Sequence, residues 1–152
     1  PSIYWCPAIN FAIQTAMRLS EQLNLLWSNV DLSKRTAFLP AAVTKGNRSR
    51  TVPLSDKAMQ VLSEIPRNIN GKVFPMSLNY HNKGWRALTK RGGIVGLRWH
   101  DLRREATSRF FEDGLSITEV QSITGHRTLQ MLSTYTTHNA ENLVVKLRKM
   151  ES

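Results

Sequence analysis

The sequence predicts a mainly α-helical domain with a small antiparallel β-sheet, an α+β class. Three observations predict it. Apolar residues recur at helical spacing, Ser and Thr capping signals precede several of these segments, and two strand-like runs flank a Gly-Asn turn. In chain order, Leu19, Leu23, Leu26 and Trp27 fall at i, i+4, i+7 and i+8, the buried stripe of a helix that begins just after Arg18. Thr36 to Val43 and Ser49 to Leu54 read as strands joined by Thr44-Lys45-Gly46-Asn47-Arg48, where Gly-Asn offers the positive φ of a hairpin turn. Lys45 lies at that bend. Ser55 caps a helix whose Ala58, Val61, Leu62 and Ile65 face a core and which Pro66 helps to end. Ser77 caps another, from about Leu78 to Arg91, with Trp85 and Leu88 inward, Lys83, Arg86 and Lys90 sharing another face, and Gly92-Gly93 as its stop.

From residue 100 the reading is helix upon helix. His100-Asp101-Leu102-Arg103 opens one with Leu102, Ala106 and Phe110 on one face and Gly114 at its close. Ser116-Ile117-Thr118-Glu119 matches a capping box, and its helix ends at Gly125, just before His126. Thr128 caps a third that carries Leu129 and Leu132 toward Tyr135. From Glu141 to Met150, the side chains of Leu143, Val144, Leu147 and Met150 line one side of an amphipathic helix that needs cover, in cis or from a neighbouring subunit.

Composition narrows the function classes. The 152 residues fit one domain, and 41% hydrophobic with 21% charged residues excludes a coiled rod or a disordered tail. A single cysteine, Cys6, excludes an intrachain disulfide framework, and no Cys/His cluster has zinc-site spacing, so a reducing compartment is the default. No apolar run approaches the ~18–20 residues a membrane span needs. The start, Pro1-Ser2-Ile3-Tyr4, has neither an initiator Met nor a basic signal-type head, and suggests a soluble piece of something longer. Lys and Arg number 21 against 11 Asp and Glu, a formal charge of +10 that points to a polyanion such as nucleic acid. Residues 81–110 hold Lys83, Arg86, Lys90, Arg91, Arg98, Arg103, Arg104 and Arg109 against Asp101 and Glu105, while residues 34–50 add Lys34, Arg35, Lys45, Arg48 and Arg50 with no acid. Charge alone leaves open that these are two solvated surfaces.

The order of the polar residues says more. Arg18 is followed by Glu21, Lys45 lies in a hairpin, His100-x-x-Arg103 opens a helix, Gly125-His126 closes one, and Tyr135 follows nine residues later. Thr15-Ala16-Met17-Arg18-Leu19-Ser20-Glu21, the Lys45 to Leu54 hairpin, His100-Asp101-Leu102-Arg103, and Thr124-Gly125-His126 through Tyr135-Thr136 resemble, over nearly the whole chain, the catalytic domain of the tyrosine recombinases, the phage integrase family. Each box is weak alone; their joint order and spacing carry the resemblance.

The resemblance implies a site-specific DNA recombinase of the phage or prophage integrase type, a strand transferase that cleaves and rejoins DNA. Attack on a phosphodiester builds negative charge that two guanidinium forks answer well. Arg18 and Arg103 take that role by the resemblance, His100 adds a donor or proton-transfer group, His126 a further hydrogen bond, and Tyr135 is the nucleophile that forms a 3′-phosphotyrosyl link. The resemblance makes Lys45 the acid for the leaving 5′ oxygen, with Arg48 and Arg50 sharing its turn. Glu21 either supports its helix through the dipole or, by the resemblance, orients one of the site's cations. Arg48, Arg50, Lys83, Arg86, Lys90 and Arg104 are the candidates for the DNA backbone. No metal, ATP or other cofactor is implied, and the sequence has neither a carboxylate cluster nor a P-loop.

The chain departs from the family pattern at Ala16, where glycine is common, at Arg104, where a histidine often follows the second arginine, and at Thr124, where leucine is usual. Residues 1–152 read as the catalytic domain without the upstream core-binding domain, and the last ~12 residues as a protomer-linking helix. The implied partner is double-stranded DNA, bound by a tetrameric synapse of a protein that is monomeric alone, in the cytoplasm of a bacterium and associated with its nucleoid. Two other functions stay open: a DNA-binding module without chemistry, in which Tyr135 merely packs, and a type IB topoisomerase-like relaxing enzyme.

Overall fold

The computed structural model describes residues 2–136 and 140–152. Its first helix, α1 (Trp5–Thr15), lies before the first stripe expected from the sequence, and it is central to the core. Trp5, Ala8, Phe11, Ala12 and Thr15 are all buried, and α1 packs against α3 (Asp56–Glu64) and α5 (His100–Glu112). Pro7 falls in the first turn, where its missing N–H removes no intrahelical bond. Ala16 ends α1 in the left-handed conformation, φ 58°, with its N–H on the Ala12 carbonyl. That geometry favours glycine, the residue the resemblance leads one to expect there.

The stripe from Leu19 to Trp27 is a short helix, α2 (Leu19–Leu23), and not the longer one expected. Asn24 stops it by turning its side-chain amide onto the Ser20 carbonyl, 2.7 Å away. Leu25 then enters the core, Leu26 bridges to Lys72, and the Trp27 ring lies 4.5 Å from the Arg67 guanidinium carbon.

The sheet is antiparallel with order β1 (Val30–Asp31), β2 (Thr36–Leu39), β3 (Arg50–Pro53). The two-residue β1 has no counterpart in the sequence reading. Register pairs Thr36 with Pro53 and Leu39 with Arg50, so Ala37, Leu39 and Val52 are buried in the core. β2 stops four residues short of Val43 because Pro40 has no N–H to donate, and Ala41–Val43 turn as a 3-10 helix. In the connection to β3, Asn47 and not Gly46 takes positive φ.

The capping signals at Ser55, Ser77 and Ser116 are realised. Their hydroxyls accept the N–H groups of Ala58, Tyr80 and Glu119 at the starts of α3, α4 (Leu78–Arg91) and α6 (Ile117–Thr124), and the Glu119 carboxylate accepts the Ser116 N–H in return. Trp85 and Leu88 are half-buried against the core, as the spacing requires. α4 meets α1 at Gly84, where a Cβ would stand 2.3 Å from the Trp5 ring, so only glycine allows this approach. One turn earlier His81, 1% exposed, lies between Trp5 and Trp99, at ring distances of 5.2 and 4.4 Å. Trp85 meets Trp99 edge-on and donates from Nε1 to the Leu97 carbonyl, which fixes the approach to α5.

Leu129–Tyr135 form a 3-10 helix, not an α-helix; Thr128 makes no side-chain cap bond, and Leu132 is buried while Leu129 is 41% exposed. The tail helix, α7 (Ala140–Glu151), exposes Leu143, Val144, Val145, Leu147 and Met150. Among the described residues no helix is long and apolar enough to cross a membrane.

Candidate active site

Three chain segments converge where α2 begins, β3 begins and α6 ends. Arg18 is the extended residue at the start of α2, and its backbone N–H donates to Glu21 Oε1 at 2.8 Å. This bond seats Glu21, whose side chain is wholly buried. Arg50, the first residue of β3, reaches the same carboxylate with a two-pronged ion pair, Nη1 to Oε2 at 2.5 Å and Nη2 to Oε1 at 2.8 Å, and its Nε donates to the Ile123 carbonyl at 2.8 Å. Burial alone would raise the Glu21 pKa, but the hydrogen bonds and charge of Arg50, helped by Arg18, hold it below the usual carboxylate value. The cation Glu21 grips is therefore Arg50, and Arg18 Nη1 stays 3.6 Å from Oε2.

Arg50 is thus not the DNA-backbone contact the sequence reading proposed: its side chain is 10% exposed and its fork is occupied within the protein. It also lies under Gly125, where a Cβ would stand 2.8 Å from Arg50 Nη1 and where φ is +75°. Gly125 closes α6 in the left-handed conformation and turns the chain into His126.

Arg103, one turn into α5, is the most deeply buried of the cations, 4% exposed. Its Nη1 donates to the carbonyls of Ala16, at 2.6 Å, and Thr124, at 2.8 Å, joining the end of α1 to the end of α6. Its Nη2 stands 3.4 Å from His126 Nδ1. Burial, then the nearby charge of Arg18, pushes the Arg103 pKa down to about 9, with Glu21 and Tyr135 opposing, so the guanidinium keeps its proton at neutral pH. Burial likewise lowers Arg18, against the pull of Glu21.

His126 is pushed down to about 4 by burial and by the positive charge of Arg103, Arg18, Arg50 and His100, so it is neutral at pH 7. Its Nδ1 pairs with the hydroxyl of Thr124 at 2.5 Å. The threonine that departs from the family pattern therefore braces the site twice, by its carbonyl and by its hydroxyl. His100, at the start of α5, is lowered by burial and then by Arg103, Arg104 and Arg18. Tyr135 ends its 3-10 helix half-buried, its ring stacked on Phe111 at 6.1 Å and its phenol within Coulombic reach of Arg103.

A cleft opens beside these groups, lined by Arg18, Arg48, Arg50, Gly125, His126 and Arg127, with Thr44, Gly46 and Ser122 among its walls. Lys45 is exposed and is not one of the lining residues, although its neighbours Thr44 and Gly46 are. Lys83, Arg86 and Lys90 are exposed along α4, and Arg104 is exposed on α5. The sequence reading missed Arg127, whose guanidine lies against Gly46; its signal was its place directly after Gly125-His126. Among the described residues no group of three or more His, Cys, Asp or Glu side chains gathers as a metal site.

A family model described as the phage integrase family matches residues 2–142. The chain is 45% identical over 139 residues to the shufflon-specific DNA recombinase of Escherichia coli, covering 91% of this chain and 36% of that protein. It thus spans about a third of the length of that curated relative. Among solved structures, the Tn1549 transposon integrase in complex with transposon right end DNA superposes with a TM-score of 0.77 at 17% identity, over 99% of this chain and 60% of that one. The catalytic domain of bacteriophage HP1 integrase gives 0.68 at 23% identity, over 87% and 73%. These two likenesses carry the fold.

Proposed function

This chain belongs to the phage integrase family, and from that premise we propose that it is the catalytic domain of a site-specific DNA recombinase that cuts and rejoins strands through Tyr135. One observation carries the reading: Arg18 and a neutral His126 line one cleft, and Arg103, buried behind it 3.4 Å from His126, feels the charge of Tyr135.

The chemistry follows from these groups. Arg18 and Arg103 take the non-bridging oxygens of the scissile phosphate, where they stabilise the charge that grows as the phenol attacks. His126 adds a neutral donor, and His100, one turn before Arg103, adds a donor or proton-transfer group. The Tyr135 phenol gives its proton to His100 as its oxygen bonds to phosphorus, while the 5′ oxygen leaves and takes a proton from Lys45, whose neighbours Thr44, Gly46 and Arg48 line the cleft. The 3′-phosphotyrosine keeps the energy of the broken bond, so the reverse attack by a 5′-hydroxyl rejoins a strand without ATP, and the guanidiniums supply the charge a metal would otherwise bring. We place double-stranded DNA along the basic face that includes Lys83, Arg86, Lys90, Arg48, Arg104 and Arg127. The assembly we propose on DNA is a tetrameric synapse, with the exposed apolar line of α7 against a neighbouring protomer.

The test is a nicked suicide duplex built from the core site mapped beside the reading frame. Wild type is expected to form a covalent DNA adduct in EDTA and without ATP, and Tyr135→Phe to form none. An adduct that persists in Tyr135→Phe, or salt-sensitive binding with no adduct in wild type, sinks the catalytic reading and leaves a DNA-binding module. Relaxation of supercoiled plasmid without strand exchange would instead point to a topoisomerase-like enzyme.

A further inference from the structure

We propose that Arg50 is a positioning residue whose ion pair with Glu21 keeps Arg18 available to the scissile phosphate; this rests on the strand-transfer reading of the site. Glu21 has two cationic neighbours and divides unequally between them. Arg50 takes both oxygens, at 2.5 and 2.8 Å, whereas Arg18 Nη1 stays at 3.6 Å, beyond a hydrogen bond. The Arg18 side chain is correspondingly more open, 22% exposed against 10% for Arg50.

The carboxylate has a reason to be there. Three guanidiniums, Arg18, Arg50 and Arg103, crowd one buried region, and a single negative charge offsets part of their repulsion. The same charge is a hazard to catalysis, because Arg18 and Glu21 are tied together by a backbone bond and cannot separate. A buried carboxylate without a partner is strongly unfavourable, so loss of Arg50 would draw the Arg18 fork onto Glu21 and away from the substrate. Arg50 is itself held in register by the Ile123 carbonyl and by the close approach of Gly125, the residue before His126. One side chain thus ties the start of β3, beside the Lys45 connection, to the segments that carry Arg18 and His126.

The decisive comparison is Arg50→Gln against the double variant Glu21→Gln/Arg50→Gln, in which the competing charge is also gone. Single-turnover adduct formation on the nicked duplex should fall about 100-fold in Arg50→Gln, the size of losing one transition-state donor. It should recover to within about ten-fold of wild type in the double variant. The salt slope of DNA binding should not change in either, whereas a phosphate-contacting Arg50 would lower it by about one. In a crystal structure of Arg50→Gln, Arg18 should close to about 3 Å from Glu21.

A double variant no faster than Arg50→Gln, a reduced salt slope with a normal adduct rate, or an Arg18–Glu21 separation left at 3.6 Å overturns the proposal. Should Arg50→Gln fail to fold, the neutral double variant decides alone: folded but about 100-fold slow, it refutes the role. Failure of the strand-transfer reading looks different, since wild type would then form no Tyr135-dependent adduct, and the Arg18–Glu21 distance would still decide the role of Arg50.

Discussion

His126 enters the site without its proton, and that has a measurable consequence. Its folded pKa of about 4 lies below the unfolded value of about 6.5, so between those limits the unfolded chain binds more protons. Stability therefore rises with pH from about 4 to about 6.5 and is flat above, so far as this group decides it. His81 and His100, lowered mainly by burial, add slope of the same sign. Thermal unfolding followed from pH 4.5 to pH 8 should show this rise, and His126→Gln should make it shallower. Arg103→Ala acts on both chemistry and fold. It should abolish adduct formation while leaving much of the DNA binding, and the orphaned carbonyls of Ala16 and Thr124 should cost about 1–3 kcal/mol each in a denaturant melt. At this scale order and spacing single out Arg18, Arg103, His126 and Tyr135 as candidates. The tie of Arg50 to Glu21 was not legible, because a two-pronged bond to a carboxylate 29 residues away leaves no local mark. The braces that Thr124 supplies were hidden for the same reason.

Elements were legible where local chemistry decides them and opaque where the core does. Ser55, Ser77 and Ser116 announce their helices because an N-cap hydroxyl works within three residues. By contrast, α1 was missed although it is central, because its burial serves two partner helices and its outward stripe of Cys6, Asn10 and Gln14 is narrow and uncharged. β1 was missed because two residues carry no alternation. Two substitutions test the backbone readings. Ala16→Gly relieves a left-handed alanine and should stabilise by about 0.5 kcal/mol, since the strain it removes is partly offset by greater unfolded-chain entropy. Gly125→Ala meets both a positive φ and the Arg50 guanidinium. It should lower stability by at least about 1–2 kcal/mol and slow adduct formation, because the turn it disturbs delivers His126. Matched unfolding midpoints in wild type and Gly125→Ala would contradict that.

Across the whole molecule the +10 charge separates into two populations. Arg18, Arg50 and Arg103 are drawn into the interior around Glu21, while Lys83, Arg86 and Lys90 remain on the surface of α4. The second group, together with Arg48, Arg104 and Arg127, is expected to set the salt dependence of DNA binding. Replacing Lys83, Arg86 and Lys90 by Gln should reduce the slope of log K against log salt by up to about 2.7, with adduct formation at saturating DNA little changed; an unaltered slope would place the backbone elsewhere. The aromatic box between α1, α4 and the start of α5 has a use of another kind. Trp5, Trp85 and Trp99 are three of the chain's four indoles, His81 is enclosed among them, and Trp99 stands one residue upstream of His100. An imidazole quenches indole emission more strongly once charged, and indole emission reddens as water enters. The intrinsic fluorescence of the protein is therefore a gauge built beside the start of α5, dimming and shifting red when that joint opens, with no label attached.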